Sequence, residues 1–146
     1  MRRPGTVSSQ RYTYAVGAYF IVADLDLRAR FDLAVLDDEL RQTGLHGGVR
    51  LSGNVWRASY SSSERCCRHP SEALDHLLRI VEGLREEARS HWDCCSSRRF
   101  DLGYQCLDER FASRWQIKAP LLRRLSKVNG DLVVTIYRSD DKVEGQ

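Results

Sequence analysis

Two short clusters hold the residue types that most readily do chemistry, Cys66-Cys67-Arg68-His69 and His91-Trp92-Asp93-Cys94-Cys95. Thiolates with imidazoles are the ligands that zinc selects, and a cysteine beside a histidine is the start of a nucleophilic pair. The sequence between them argues against both. It carries the pattern of a helix, and a straight helix of about 20 residues holds its ends about 30 Å apart. There is no Cys-x-x-Cys knuckle, and no oxyanion site or orienting third group accompanies Cys67 with His69 or Cys94 with His91. The expectation is neither a metal site, nor a catalytic set, nor a cofactor. The cysteines number five, an odd count with two adjacent pairs, which suits reduced thiols in the cytoplasm better than a disulfide framework.

Other catalytic patterns fail similarly. Asp24 and Asp26 are expected on opposite faces if the first strand continues, and as turn residues if it has ended, so neither reading makes them an acid–base pair. Gly47-Gly48 lacks both the Walker lysine and the spacing of a dinucleotide loop.

Binding chemistry is better represented. Arg110, Arg114, Lys118, Arg123, Arg124 and Lys127 occur with no acid before Asp131, whereas the segment 24–39 is rich in carboxylates. Within the basic segment, Arg114, Arg123, Arg124 and Lys127 lie near Trp115, the footprint of a phosphate-binding surface. On strand alternation, however, Trp115 points with Ile117 and away from Arg114, as a core tryptophan does. Arg123, Arg124 and Lys127 form the solvent stripe of a helix whose inner side is Leu121, Leu122, Leu125 and Val128. Opposed charged surfaces without a stacking platform favour a protein partner over nucleic acid. The alternative is a small-ligand site or enzyme pocket on an open sheet face, with Arg57, Tyr60 and Arg114 as its polar groups.

These residues need elements to hold them. The spacing predicts a strand over 12–23, a short helix over 28–43, and a strand over 49–59 bent at Gly53. A main helix over 70–88 begins at Pro70, with Asp75 and Arg79 paired on its wet side. A strand over 99–107 and a short one over 113–117 would form a hairpin. A helix from Pro120, closed by Asn129 and Gly130, leads to a final strand over 132–137. Residues 1–11 and 139–146 read as flexible ends of a single α+β domain spanning 12–138. From the second strand onward the order is βαββαβ, a ferredoxin-like core with an extra N-terminal strand and short helix. Helices would cover one face of a mainly antiparallel sheet.

The 146 residues suffice for one domain with its own core, and 42% hydrophobic with 29% charged excludes a disordered chain. No stretch approaches the apolar length of a membrane helix, and the start lacks a signal-peptide core.

One resemblance spans roughly residues 12–137. It rests on Tyr19-Phe20-Ile21-Val22 running into Asp24-Leu25-Asp26-Leu27, then Ser52-Gly53-Asn54-Val55-Trp56-Arg57 and Leu74-Asp75-His76-Leu77. Pro120-Leu121-Leu122-Arg123-Arg124-Leu125 before Val133-Val134-Thr135-Ile136-Tyr137 completes it. In this order of motifs the chain resembles the bacterial family catalogued as domain of unknown function 4279. The resemblance implies a single α+β domain and carries no catalytic assignment. The expected function is a non-enzymatic, cytosolic interaction module of immunity or accessory type.

Overall fold

The computed structural model describes residues 17–62 and 69–138. The ends expected to be loose, the strand start at 12–16, and Cys66 and Cys67 lie outside these residues. The elements are β1 (Ala18–Ala29), α1 (Ala34–Gln42), β2 (Leu45–Ser52), β3 (Val55–Ser62), α2 (Pro70–Glu82), α3 (Glu86–Cys94), β4 (Ser97–Cys106), α4 (Ala119–Lys127) and β5 (Asp131–Tyr137).

β1 runs well past Ala23 because its alternation persists. Leu25, Leu27 and Ala29 are buried, while Asp24, Asp26 and Arg28 are half-buried on the opposite face. The helix expected from 28 therefore starts at Ala34, whose N–H donates to Asp32 Oδ1 at 2.9 Å. The single bent strand expected over 49–59 is a hairpin, β2 with β3. Ser52 pairs with Val55 across Gly53-Asn54, and Gly53 sits at φ +63°, which suits a two-residue turn with glycine first.

The main helix divides in two. The Gly83 N–H donates to the Arg79 carbonyl and that of Leu84 to the Val81 carbonyl, ending α2 before α3 resumes at Glu86. Residues 113–117 form no strand. One edge of β4 is taken by β1 and the other by β5, so a hairpin partner there has no edge to join. Instead Ser113 ties this segment to the start of β1, its Oγ accepting the Ala18 N–H at 2.8 Å and donating to the Ala18 carbonyl at 3.1 Å.

The strands form one five-stranded sheet in the order β2-β3-β1-β4-β5, antiparallel except for the parallel pair β4 and β5. The strand expected as an N-terminal extra is thus the centre of the sheet, and the unit at the edge is α4–β5. The fold is α+β. All four helices contribute to a core on one face, with Leu36 and Leu40 from α1, Leu74, Leu77, Leu78 and Val81 from α2, Ala88 and Trp92 from α3, and Leu125 from α4. The Trp92 indole donates to the Val128 carbonyl at 2.8 Å. α4 ends as the sequence predicts: Asn129 adopts φ +54°, and the Asn129 and Gly130 amides donate back to Ser126 and Leu125, both at 3.0 Å. No described helix is long and apolar enough to cross a membrane.

Candidate interaction surface

The face of the sheet away from the helices is built by the residues that alternate with the core. Read across the strands, one row is Arg50 on β2, Arg57 on β3, Arg28 on β1 and Ser97 on β4. The next is Gly48, Ser59, Asp26, Arg99 and Asp131, and beyond it come His46, Ser61, Asp24, Asp101 and Val133. Directly paired positions bring Cβ atoms to about 5 Å, where like charges repel. Three arginines therefore stand side by side across β2, β3 and β1, with Arg99 in the adjacent row.

None of Arg28, Arg50, Arg57 and Arg99 forms an ion pair among the described residues. They line a concavity of about 620 Å³ together with Asp26, Ser59 and Ser97. Asp26 is its one acid, and its Oδ1 accepts the Ser59 hydroxyl at 2.7 Å. Every lining residue belongs to a strand, so the site is a shallow dish on the sheet and not a chamber closed by loops.

The same face turns acidic a row further on. Asp24 lies between Asp26 on its own strand and Asp101 across the ladder. Burial, then repulsion from Asp26 and Asp101, pushes its carboxyl up to about 6. Asp101 accepts the Thr135 hydroxyl on both oxygens, at 2.8 and 2.9 Å. Asp24 and Asp26, expected in a turn or on opposite faces of a continuing strand, are thus strand residues on one face, because positions two apart in a strand point the same way.

Of the sequence-predicted binding residues, only Arg57 lies in the dish. Tyr60 points the other way, into the core, and its hydroxyl donates to Asp37 Oδ1 at 2.6 Å. Burial and that carboxylate push the phenol well above its ordinary range. Arg114 is exposed on the segment between β4 and α4, off the sheet. Arg123 and Lys127 are exposed on α4. Arg124 is committed internally. Its guanidinium donates to Asp75 at 2.6 Å and to Glu82 at 2.7 and 3.0 Å, holding α4 to α2 and pulling the Glu82 carboxyl below its usual range. Asp75 also pairs with Arg79 at 3.0 Å, as the helical spacing predicts.

Trp115 is not a core residue. It is 40% exposed and leans on the Tyr104 ring at 5.7 Å. The thiol-and-imidazole clusters show no reactive arrangement within the described residues. Cys95 is buried, its thiol donates to the His91 carbonyl at 3.4 Å, and burial pushes it up to about 11, away from thiolate. His91 packs edge-on against Phe31 at 5.4 Å. Among the described residues no group of three or more His, Cys, Asp or Glu side chains could hold a metal ion.

Sequence reasoning missed Arg28, Arg50 and Arg99 as a set. Arg99 was legible on the wet side of its strand, but Arg28 reads as helical and the β2–β3 turn was not recognised, so no register joined them. No family model, no curated protein and no solved structure matches the chain.

Proposed function

We propose that this protein is a non-enzymatic interaction module whose open sheet face receives an acidic surface of a protein partner. The carrying observation is the row Arg50, Arg57, Arg28 with Arg99 beside it, four guanidinium groups held together with Asp26 as the one acid lining the dish and no ion pair among the described residues. Such a row costs stability in the free protein and is repaid by carboxylates brought from outside. The dish is shallow and strand-built, which favours a surface over an enclosed metabolite. The acidic row of Asp24 and Asp101 on the same face disfavours a phosphate backbone and suits a partner of mixed charge. No aromatic side chain lines the dish, so a stacking platform for bases is absent from it.

The reading extends to the fold and to relatedness. Strands β1 to β4 in the order 2-3-1-4, with α1 and α2–α3 as crossovers, support a ferredoxin-like core to which α4–β5 is appended. The motif order supports membership of the domain of unknown function 4279 family. Unbonded thiols at Cys94, Cys95 and Cys106 support a cytosolic address.

The test is titration by fluorescence anisotropy with a labelled oligoglutamate peptide and with duplex DNA, over a range of salt. The peptide should bind at micromolar concentration, and Arg28→Ser with Arg57→Ser should abolish it. Tighter DNA binding, with a log–log salt slope near about −3.6 for four phosphates and lost in the same variant, would replace the protein partner with nucleic acid. Binding of neither probe would remove the reading.

A further inference from the structure

The two edges of the sheet are built differently. β2, at one edge, contains His46, Gly47, Gly48 and Arg50, the charges and glycines that discourage strand-to-strand pairing. β5, at the other edge, runs from Leu132 to Tyr137 without a charge, a proline or a glycine. Among the described residues its backbone pairs with β4 on one side only. Three of its apolar side chains stand in solvent, Leu132 at 38%, Val134 at 56% and Ile136 at 61% exposed. All three are on the helix side, since they pair with Phe100, Leu102 and Tyr104. They continue into a groove of about 280 Å³ lined by Trp115, Phe111, Tyr104, Val134 and Ile136. A long uncharged edge with an exposed apolar row is a template for another strand.

We propose that the strand it takes is β5 of a second copy of this chain, antiparallel across a two-fold axis through Val134. That axis stands perpendicular to the sheet and keeps the helices of both copies on the same side, which requires the paired residues to have the same facing. Centred on Val134, it sets Leu132 against Ile136 of the second copy and Val134 against itself. The exposed rows of the two copies thus cover each other with branched side chains, the pairs that stabilise antiparallel ladders. The ends of the strand are charged in the complementary sense. Asp131 opens it and the exposed Arg138 follows its last residue. In this register Asp131 of each copy stands opposite Tyr137 of the other, one position from Arg138, whereas parallel pairing would set like charges together. A patch that complements itself in this way closes as a dimer and leaves nothing to propagate. It would join two five-stranded sheets into one and leave both arginine dishes open on the far face.

The experiment is sedimentation equilibrium of the full chain up to about 100 μM, a range that detects dissociation constants weaker than micromolar. A monomer–dimer equilibrium is expected. Val134→Lys, which places two ammonium groups at the axis, should weaken it at least about tenfold, roughly 1.4 kcal/mol. Circular dichroism and the melting temperature check that this exposed substitution leaves the fold in place. Arg138→Asp should weaken association several-fold, and Asp131→Arg added to it should restore the affinity, an outcome specific to antiparallel pairing of this edge. A chain that stays monomeric, a dimer indifferent to Val134→Lys, or a charge reversal without rescue would each overturn the proposal. Oligoglutamate binding is read in wild type and in Val134→Lys, whose substitution lies on the helix side away from the arginine dish, so the two readings fail separately.

Discussion

At the scale of single residues, the open face brings like charges together. Asp24 is the clearest case, its carboxyl held up to about 6 by burial and by Asp26 and Asp101. A carboxyl raised in the folded state binds its proton more tightly there than in the unfolded chain. Its contribution is fully present below the unfolded value near 3.8, and is lost as pH rises through about 6. His46 and Ser61, in the same row, and Thr135 beside Asp101 complete its polar neighbourhood. Asp24→Asn should therefore flatten the fall in stability between pH 4 and 6 and leave the variant more stable above it. Discounted for solvent screening of a half-buried group, the gain is about 1 kcal/mol. Urea titrations of both proteins at pH 4 and pH 7 measure it, and an equal difference at the two pH values would contradict the assignment. Tyr60→Phe should cost about 1 to 2 kcal/mol by stripping Asp37 of its hydroxyl donor.

At the scale of elements, two arginines act as fasteners. Arg98 donates through Nη1 to the carbonyls of Trp92 at 3.0 Å and Cys95 at 2.5 Å, at the end of α3. Its Nε donates to the Asn129 carbonyl at 2.9 Å, just past α4. One cation thus satisfies orphan carbonyls at two helix C-termini, where the dipole also favours it. Arg98→Met should destabilise by about 2 kcal/mol, and Arg98→Lys should recover only part, since an ammonium cannot span the same carbonyls. Arg124 joins α4 to α2 through Asp75 and Glu82, while Arg123, one position earlier, is exposed. Arg124→Ser should cost about 1 kcal/mol, whereas Arg123→Ser should fall within error of wild type. Equal effects in chemical denaturation would show that the network contributes nothing.

At the scale of the whole molecule, one side of the sheet gives stability and the other is the face proposed to bind. The helix side holds the core, and the open side groups arginines that repel one another. Anions that occupy the dish should therefore stabilise the fold by mass action. Added sulfate should raise the melting temperature of wild type more than that of the variant carrying Arg28→Ser and Arg57→Ser. The same rise in both proteins would trace the effect to general salting-out and not to the dish.

The sequence by itself determined the class and most of the periodicities. The apolar residues of α2, α4 and β4 recur at spacings that suit one secondary structure, so those elements were legible along with the cap at Asn129-Gly130, although Leu122, expected on the inner side of α4, is 42% exposed. The Gly53-Asn54 turn was equally available, because glycine at the first position of a two-residue loop signals a hairpin. What the tertiary structure alone decided was adjacency. Arg28, Arg50, Arg57 and Arg99 belong to four strands, and their neighbourhood depends on register and strand order, which local periodicity does not encode. Tyr60 and Arg57 are both polar strand residues three positions apart, so alternation puts them on opposite faces, and only the packed helices show which face is the core. β5 reads in sequence only as a final, mostly apolar strand. Its exposure follows from its place at the sheet's edge, a property of the assembled fold.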